Sequence, residues 1–216
     1  MPRSELLKGE KTRRKIIDIA IRLAAKHGFA ETSFQMIADE LRLSQSAVMY
    51  HFTNKNALFG ELVKTITRHN HETVDELADI NDNAGQRLLK HCVGNVMWAQ
   101  RYKHSDAQIL ILLYYMACHV KVFSALFINM IYVGKERLKG HLLSGQREGL
   151  FKLSSPPEAV AGLLQDGLFG AMLYAAAAPE GSVDQAALEA KWRMTITTLT
   201  GWKDPKPGPV LTPARK

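Results

Sequence analysis

Gln45, Ser46, Met49 and Tyr50 fall at i, i+1, i+4 and i+5, a spacing that puts them on one side of a helix, and none of them is acidic. Short polar and flat apolar side chains of this kind can approach base edges in the major groove of DNA, where long acidic residues would be repelled by phosphate. Basic residues flank the group. Lys11, Arg13, Arg14 and Lys15 lie upstream and Lys55 downstream, types that neutralise a phosphate backbone. Two short amphipathic helices also occur in bundles that never meet DNA, so the elements around the group decide what it does.

The segment from Ser33 to Leu58, SFQMIADELRLSQSAVMYHFTNKNAL, reads as two short helices separated by a three-residue turn. Phe34, Ile37, Ala38 and Leu41 keep the i, i+3, i+4, i+7 spacing of one buried face, with Ser33 as N-cap. The second helix starts at Ser44 and buries Ala47 and Val48, which turns Gln45, Ser46, Met49 and Tyr50 outward. Upstream, residues 10–27 form a longer amphipathic helix with Ile16, Ile17, Ala20, Leu23 and Ala24 inward, stopped by Gly28 in a left-handed cap. Downstream, Asn54 caps a fourth helix carrying Leu58, Phe59, Leu62, Val63 and Ile66 at helical spacing.

In order, Ile37-Ala38, Leu43-Ser44, Val48-Met49-Tyr50-His51-Phe52 and Lys55 with Leu58 resemble the N-terminal domain of TetR-type transcriptional regulators, over about the first quarter of the chain. The resemblance implies a three-helix DNA-binding head, phosphate contacts from His51 and Lys55, a ligand pocket among the middle helices whose occupation changes the separation of two heads, and a four-helix dimer interface made by the last two helices and their copies. Two-fold symmetry would set two recognition helices about 34–36 Å apart, one DNA turn, or a multiple of it. Two positions depart from the family pattern. Arg42 stands where a turn glycine is usual, at a cost of about 1 kcal/mol if the backbone there is left-handed. Met49 stands where a phosphate-bonding Tyr is usual, and Tyr50 is turned from that position by about 100°. The candidate DNA-binding set is Lys11, Arg14, Ser33, Gln35, Ser44, Gln45, Ser46, Met49, Tyr50, His51 and Lys55.

Charge divides the chain along the same lines. Residues 1–68 hold 12 Lys/Arg against 7 Asp/Glu, residues 69–202 hold 12 against 13, and residues 203–216 hold 4 against 1. A basic head on a near-neutral body suits a protein whose end region meets a polyanion. Two cysteines, Cys92 and Cys118, make no disulfide framework, and the N-terminus shows no signal-peptide stretch, so the expected location is the cytoplasm.

From residue 69 the pattern is helical throughout, with expected breaks near Ala84-Gly85, His104-Ser105, Val120-Lys121, Gly149–Pro157 and Pro179–Ser182. The apolar run Ala107–Val133 is cut by Lys121 into two pieces, each too short to span a bilayer, and reads as two buried helices meeting at a bend, with no membrane role. Pro156–Ala178 is rich in Gly and Ala, which cost helix propensity and therefore point to close approach of another helix. The next helix, about Val183–Trp202, carries Leu188, Trp192, Ile196 and Leu199 on one side. These two helices either form the homodimer interface or complete the core of one chain.

Met97, Trp98, Tyr102, Tyr114, Met116, Phe123 and Phe127 are the candidate ligand-binding residues, favouring a small apolar or aromatic effector, with core packing as the competing role for each. His69-x-His71, His91-Cys92, His104 and Cys118-His119 are metal-ligand types without i, i+4 or C-x-x-C spacing, so no metal site and no cofactor are expected. Thiols in apolar helices tend to be inert. No P-loop, G-x-G-x-x-G, G-x-S-x-G or H-E-x-x-H occurs, so no catalytic residue is assigned. The reading is an all-α protein with a helix-turn-helix DNA-binding domain at residues 1–54, a helical effector-binding and dimerisation domain at 55–202 and a disordered basic tail at 203–216. It would act as a homodimeric repressor on a palindromic operator. A helical enzyme acting on a small apolar compound, and a DNA-bound scaffold that senses nothing, are the alternatives.

Overall fold

The computed structural model describes residues 3–204, with side chains from Gly9 onward; the tail from Pro205 lies outside the described residues. Among the described residues all regular structure is helical: α1 (Arg3–His27), α2 (Phe34–Leu41), α3 (Gln45–His51), α4 (Lys55–Asp75), α5 (Ala84–Arg101), α6 (Asp106–Ala117), α7 (Lys121–Arg147), α8 (Pro157–Ala177) and α9 (Gln185–Thr200). The chain forms two compact units. The first takes the chain up to Arg68 together with His104–Ser124, and the second takes His69–Lys103 together with the chain from Ala125 onward. α4 is one unbroken helix from Lys55 to Asp75, so the sequence boundary between residues 54 and 55 marks a helix start.

The first unit is built on the periodicities read in the sequence. Ile16, Ile17, Ala20 and Leu23 of α1 pack with Ile37 and Ala38 of α2, Val48 of α3, and Leu58 and Leu62 of α4 in one buried cluster. Phe59 joins this unit's aromatic contacts, with its ring 4.5 Å from Phe29 and 5.0 Å from Phe123. Gly28 ends α1 at φ +83°, and the buried Thr32 donates its hydroxyl to the Gly28 carbonyl at 2.9 Å, which closes the loop into α2. α1 starts at Arg3, seven residues earlier than the amphipathic pattern indicated.

In the second unit α5 is the buried centre and packs against α8 and α9. Its start corrects the sequence reading: Ala84 and Gly85 lie in the first turn, and the break is the preceding loop, closed by a capping box between Asn83 and Gln86. Gly85 permits close approach instead of breaking the helix, since a Cβ there would stand 2.1 Å from the buried Trp202 ring. α9 starts at Gln185, where the Asp184 carboxylate accepts from the Ala186 and Ala187 amides, and ends at Gly201 in a left-handed cap. The run Ala107–Val133 is interrupted at Cys118–Val120, between α6 and α7, but the two helices are only partly buried: Ala107, Ile109, Leu113 and Phe123 are buried, whereas Tyr114, Tyr115, Val122, Ile128 and Tyr132 are exposed. Among the described residues only α8 is long and apolar enough to cross a membrane, by length and composition. It buries Val160, Ala161, Leu164, Leu168 and Ala175 within this unit, and core helices of water-soluble proteins pass the same test.

Candidate nucleic-acid interface

The α2–α3 pair is held by side-chain caps at both starts. Ser33 Oγ accepts from the Met36 amide at 3.2 Å and Ser44 Oγ from the Ala47 amide at 3.2 Å, so both serines serve the backbone first. Between them Arg42 sits at φ 55°, ψ 42°, and it is the one non-glycine residue with positive φ among the described residues. The turn is closed by the Leu43 amide donating to the Ala38 carbonyl at 2.9 Å. The turn at this position is therefore left-handed, with an arginine in it.

α3 buries Val48 fully and leaves Gln45, Ser46, Met49 and Tyr50 exposed, as the spacing required. At about 100° per residue those four cover an arc of about 140° on the helix. Tyr50 is 77% exposed and Met49 46%, large apolar surface left in water beside small polar groups. Ser46 Oγ lies 2.9 Å from Ser44 Oγ, which ties it to the cap. The Tyr50 ring meets the His51 ring edge-on at 5.3 Å. Partial burial and then the Arg13 guanidinium hold the His51 imidazole below its ordinary 6.5, which favours the neutral ring at pH 7.

The other candidates divide by what they touch. Lys11 and Arg14 are exposed on α1. Gln35 donates to Asp39 at 2.6 Å within its own helix. Lys55 donates from Nζ to the Ala30 carbonyl at 2.7 Å and stands 5.0 Å over the Phe29 ring, so it ties the start of α4 to the α1–α2 loop. Arg13, absent from the candidate set, pairs with Glu61 at 2.8 Å and lies 5.0 Å over Phe52, which fixes α1 against α4.

The candidate ligand residues fall in both units. In the second, Trp98 is buried with its ring 5.6 Å from Tyr102, and His69 meets both, at 6.3 and 4.9 Å. The Trp98 indole N–H is buried without a hydrogen-bond partner. Met97 is half-buried on the same helix, and Phe127 of α7 faces Phe169 of α8 at 5.6 Å. In the first unit Phe123 packs on Phe59, Tyr114 is 46% exposed and Met116 is half-buried. His69 is the member sequence reading missed; its i, i+2 relation to His71 drew attention to metal instead of to ring stacking.

A second histidine group was also illegible. The His91 and His141 rings meet at 5.1 Å, with His91 Nδ1 buried and without a partner. Burial first, then neighbouring cationic groups led by Arg137, push His141 down to about 4; burial first, then His141, Arg137 and His71, push His91 well below its ordinary value. Among the described residues no group of three or more His, Cys, Asp or Glu is placed to hold a metal ion. Burial raises the Cys92 thiol far above its usual range, which leaves it unreactive.

Residues 16–62 match the family described as "Bacterial regulatory proteins, tetR family". A protein of Escherichia coli (strain K12) named "Probable acrEF/envCD operon repressor" is 40% identical over 52 residues, 24% of this chain and 24% of its own length. A second relative, "HTH-type nicotine-responsive transcriptional repressor HdnoR" of Paenarthrobacter nicotinovorans, is 34% identical over 92 residues, 41% of this chain and 44% of its own length. The alignments thus span a quarter to under half of these relatives. A solved transcriptional regulator from Rhodococcus sp. Rha1 shares the fold at TM-score 0.70 and 16% identity, over 87% of this chain and 95% of that one. The head at residues 16–62 thus matches the tetR family, and the chain shares the all-helical fold of a solved transcriptional regulator.

Proposed function

We propose that the chain is a sequence-specific DNA-binding transcriptional regulator, a repressor that a small apolar or aromatic effector releases from a palindromic operator. The observation that carries this reading is the exposed, acid-free arc of α3 on a helix pair capped by Ser33 and Ser44, beside the exposed Lys11 and Arg14. A rigid short helix with its outward face free of acids is what the major groove admits. The relatives' names, an operon repressor and a nicotine-responsive repressor, support both halves of the proposal. Gln45, Ser46, Met49 and Tyr50 meet bases; Lys11, Arg14, His51 and Lys55 meet phosphates. Ser33 and Ser44 keep their capping duty, and Gln35 lies on α2 beside them.

The effector is met in the second unit, by Met97, Trp98, Tyr102 and Phe127; the remaining candidates, Tyr114, Met116 and Phe123, lie in the first unit. The homodimer forms through α8 and α9, whose outward residues Leu163, Tyr174 and Met194 are 62%, 73% and 66% exposed. The domains assigned are a DNA-binding head at 1–54 and an effector-binding and dimerisation body at 55–202, in a cytoplasmic protein.

The test is selection of the full chain on pooled random duplexes at near-physiological salt, followed by sequencing of the retained fraction. An enriched inverted repeat is the expected result; salt-sensitive retention without enrichment refutes it. Replacing Lys55 by Ala should weaken all duplexes alike and lower the salt slope by about 1.

A further inference from the structure

We infer that α3 reads A·T base pairs: Gln45 holds an adenine through its N6 and N7, and Met49 and Tyr50 pack on thymine methyl groups. The inference rests on the DNA-binding reading above and adds the chemistry of the sequence recognised.

Guanine is read in the major groove by Arg or Lys reaching O6 and N7, cytosine by a carboxylate accepting from N4, adenine by Asn or Gln, and the thymine methyl by apolar contact. The exposed arc of α3 holds Gln45, Ser46, Met49 and Tyr50, so it lacks both the long cation and the carboxylate. Ser46, whose Oγ lies 2.9 Å from that of the capping Ser44, can meet any base and so does not set the preference. What remains is one carboxamide and two large apolar surfaces, Met49 at 46% and Tyr50 at 77% exposure.

Packing shows that these surfaces are surplus to the fold. Val48 alone anchors α3 with full burial, and Phe52 beyond its end completes the contact with α1, α2 and α4. Exposed apolar groups of this size gain by leaving water only when a partner covers them, and the thymine C5-methyl is the one apolar feature the major-groove floor offers. Gln45 and Met49 are separated by i, i+4 and lie about 40° apart around the axis. They therefore face neighbouring base steps, and an adenine under Gln45 beside a thymine under Met49 satisfies both. The arginine nearest in sequence, Arg42, lies in the turn outside the arc.

The experiment uses the full chain and the duplex enriched from the random pool. Each thymine in the half-site is replaced in turn by deoxyuridine, which removes only the methyl, and each A·T pair by G·C. Wild type should lose about fourfold in affinity for each contacted methyl removed. It should lose at least about tenfold for G·C in place of the adenine under Gln45. Gln45→Ala should bind the A·T and G·C versions at that position within about twofold, and Met49→Ala should become indifferent to deoxyuridine at one thymine. Both positions are exposed, and an unchanged thermal unfolding midpoint shows that each variant is folded. A half-site whose discriminating pairs are G·C, with no response to deoxyuridine, overturns this inference while leaving the DNA-binding reading intact. Retained adenine preference in Gln45→Ala also overturns it, whereas failure to enrich any duplex overturns the functional reading together with it.

Discussion

Acid should destabilise the second unit well before its carboxylates protonate, because that unit buries imidazoles in neutral form. His141 of α7 and His91 of α5 meet ring to ring at 5.1 Å, and His71 of α4 joins them through the field of Arg137, which is itself paired with Asp75. The charges acting on His141 are those of Arg137 and Arg87, opposed by Asp75. Its imidazole falls from the ordinary 6.5 to about 4 on folding, so between those values the unfolded chain takes a proton that the folded chain refuses. Stability from this group is fully present above pH 6.5, falls as pH drops toward 4 and is flat below.

The shift is worth about 3 kcal/mol in full, of which about 2 is gone by pH 5. His91 and His71 shift in the same direction and add to the loss. Glu148 and Glu158, whose carboxyls hydrogen bonds hold below the usual range, titrate only at lower pH, so the window between about pH 7 and 5 isolates the imidazoles. Trp98, Trp192 and Trp202 all lie in the second unit, and the protein has three tryptophans, so selectively excited tryptophan fluorescence reads that unit alone. Urea unfolding followed by fluorescence should show the loss in wild type and a shallower pH dependence in His141→Gln. The slope against pH is the readout, so any constant cost of the substitution cancels. A wild-type stability that is flat between about pH 7 and 5, or a slope that His141→Gln leaves unchanged, would refute the reasoning.

Cys118 is exposed and Cys92 fully buried, so a thiol reagent should label one cysteine per native chain and the second only on unfolding, counted by mass spectrometry. Arg42→Gly should stabilise the head by up to about 1 kcal/mol in thermal melts, since glycine takes φ 55° without strain, and Arg42→Val should do the reverse. Gly85→Ala should cost about 1–3 kcal/mol because its Cβ would overlap the Trp202 ring, whereas Gly140→Ala, with nothing within 4 Å, should gain about 0.5–1 kcal/mol. Gly170→Ala should likewise stabilise the isolated chain yet weaken self-association in sedimentation equilibrium; tighter association would refute the proposed use of α8.

The legible parts of the structure are those governed by neighbours within one helical turn. Ser33, Ser44 and Asn54 cap because an oxygen two or three residues before a free amide has little else to reach, and Gly28 ends α1 because glycine takes positive φ freely. The buried faces of α1, α2 and α4 follow from periodicity. What pattern could not supply is which face meets which. Lys55 looked like a phosphate contact, and its ammonium is also held by the Ala30 carbonyl, 25 residues earlier. His91 and His141 come together across 50 residues with no local signal in either. Gly85 was read as a break because glycine disfavours helices, while the reason for it is Trp202, at the far end of the chain.

The small residues of α8 carry that lesson one step further. Glycine inside a helix costs about 1 kcal/mol relative to alanine, so its presence asks for a close neighbour. Gly134 and Gly145 of α7 have one within the chain, at Gln165 and Phe151. Gly167 and Gly170 do not: a Cβ at Gly167 would come no nearer than 3.8 Å to Trp192, and one at Gly170 would meet nothing within 4 Å. They lie on an exposed stripe with Leu163, Tyr174 and Ala177, spaced i, i+4, i+7, i+11, i+14 from Leu163, and α9 exposes Ala187, Ala190 and Met194. A face that combines exposed large apolar groups with glycines is costly for a chain on its own, in helix propensity and in hydrophobic surface alike. Both costs are offset together if a second helix lies in the shallow strip the glycines leave, with Leu163 and Tyr174 on either side of it, and a second copy of α8 supplies a helix of that shape by symmetry.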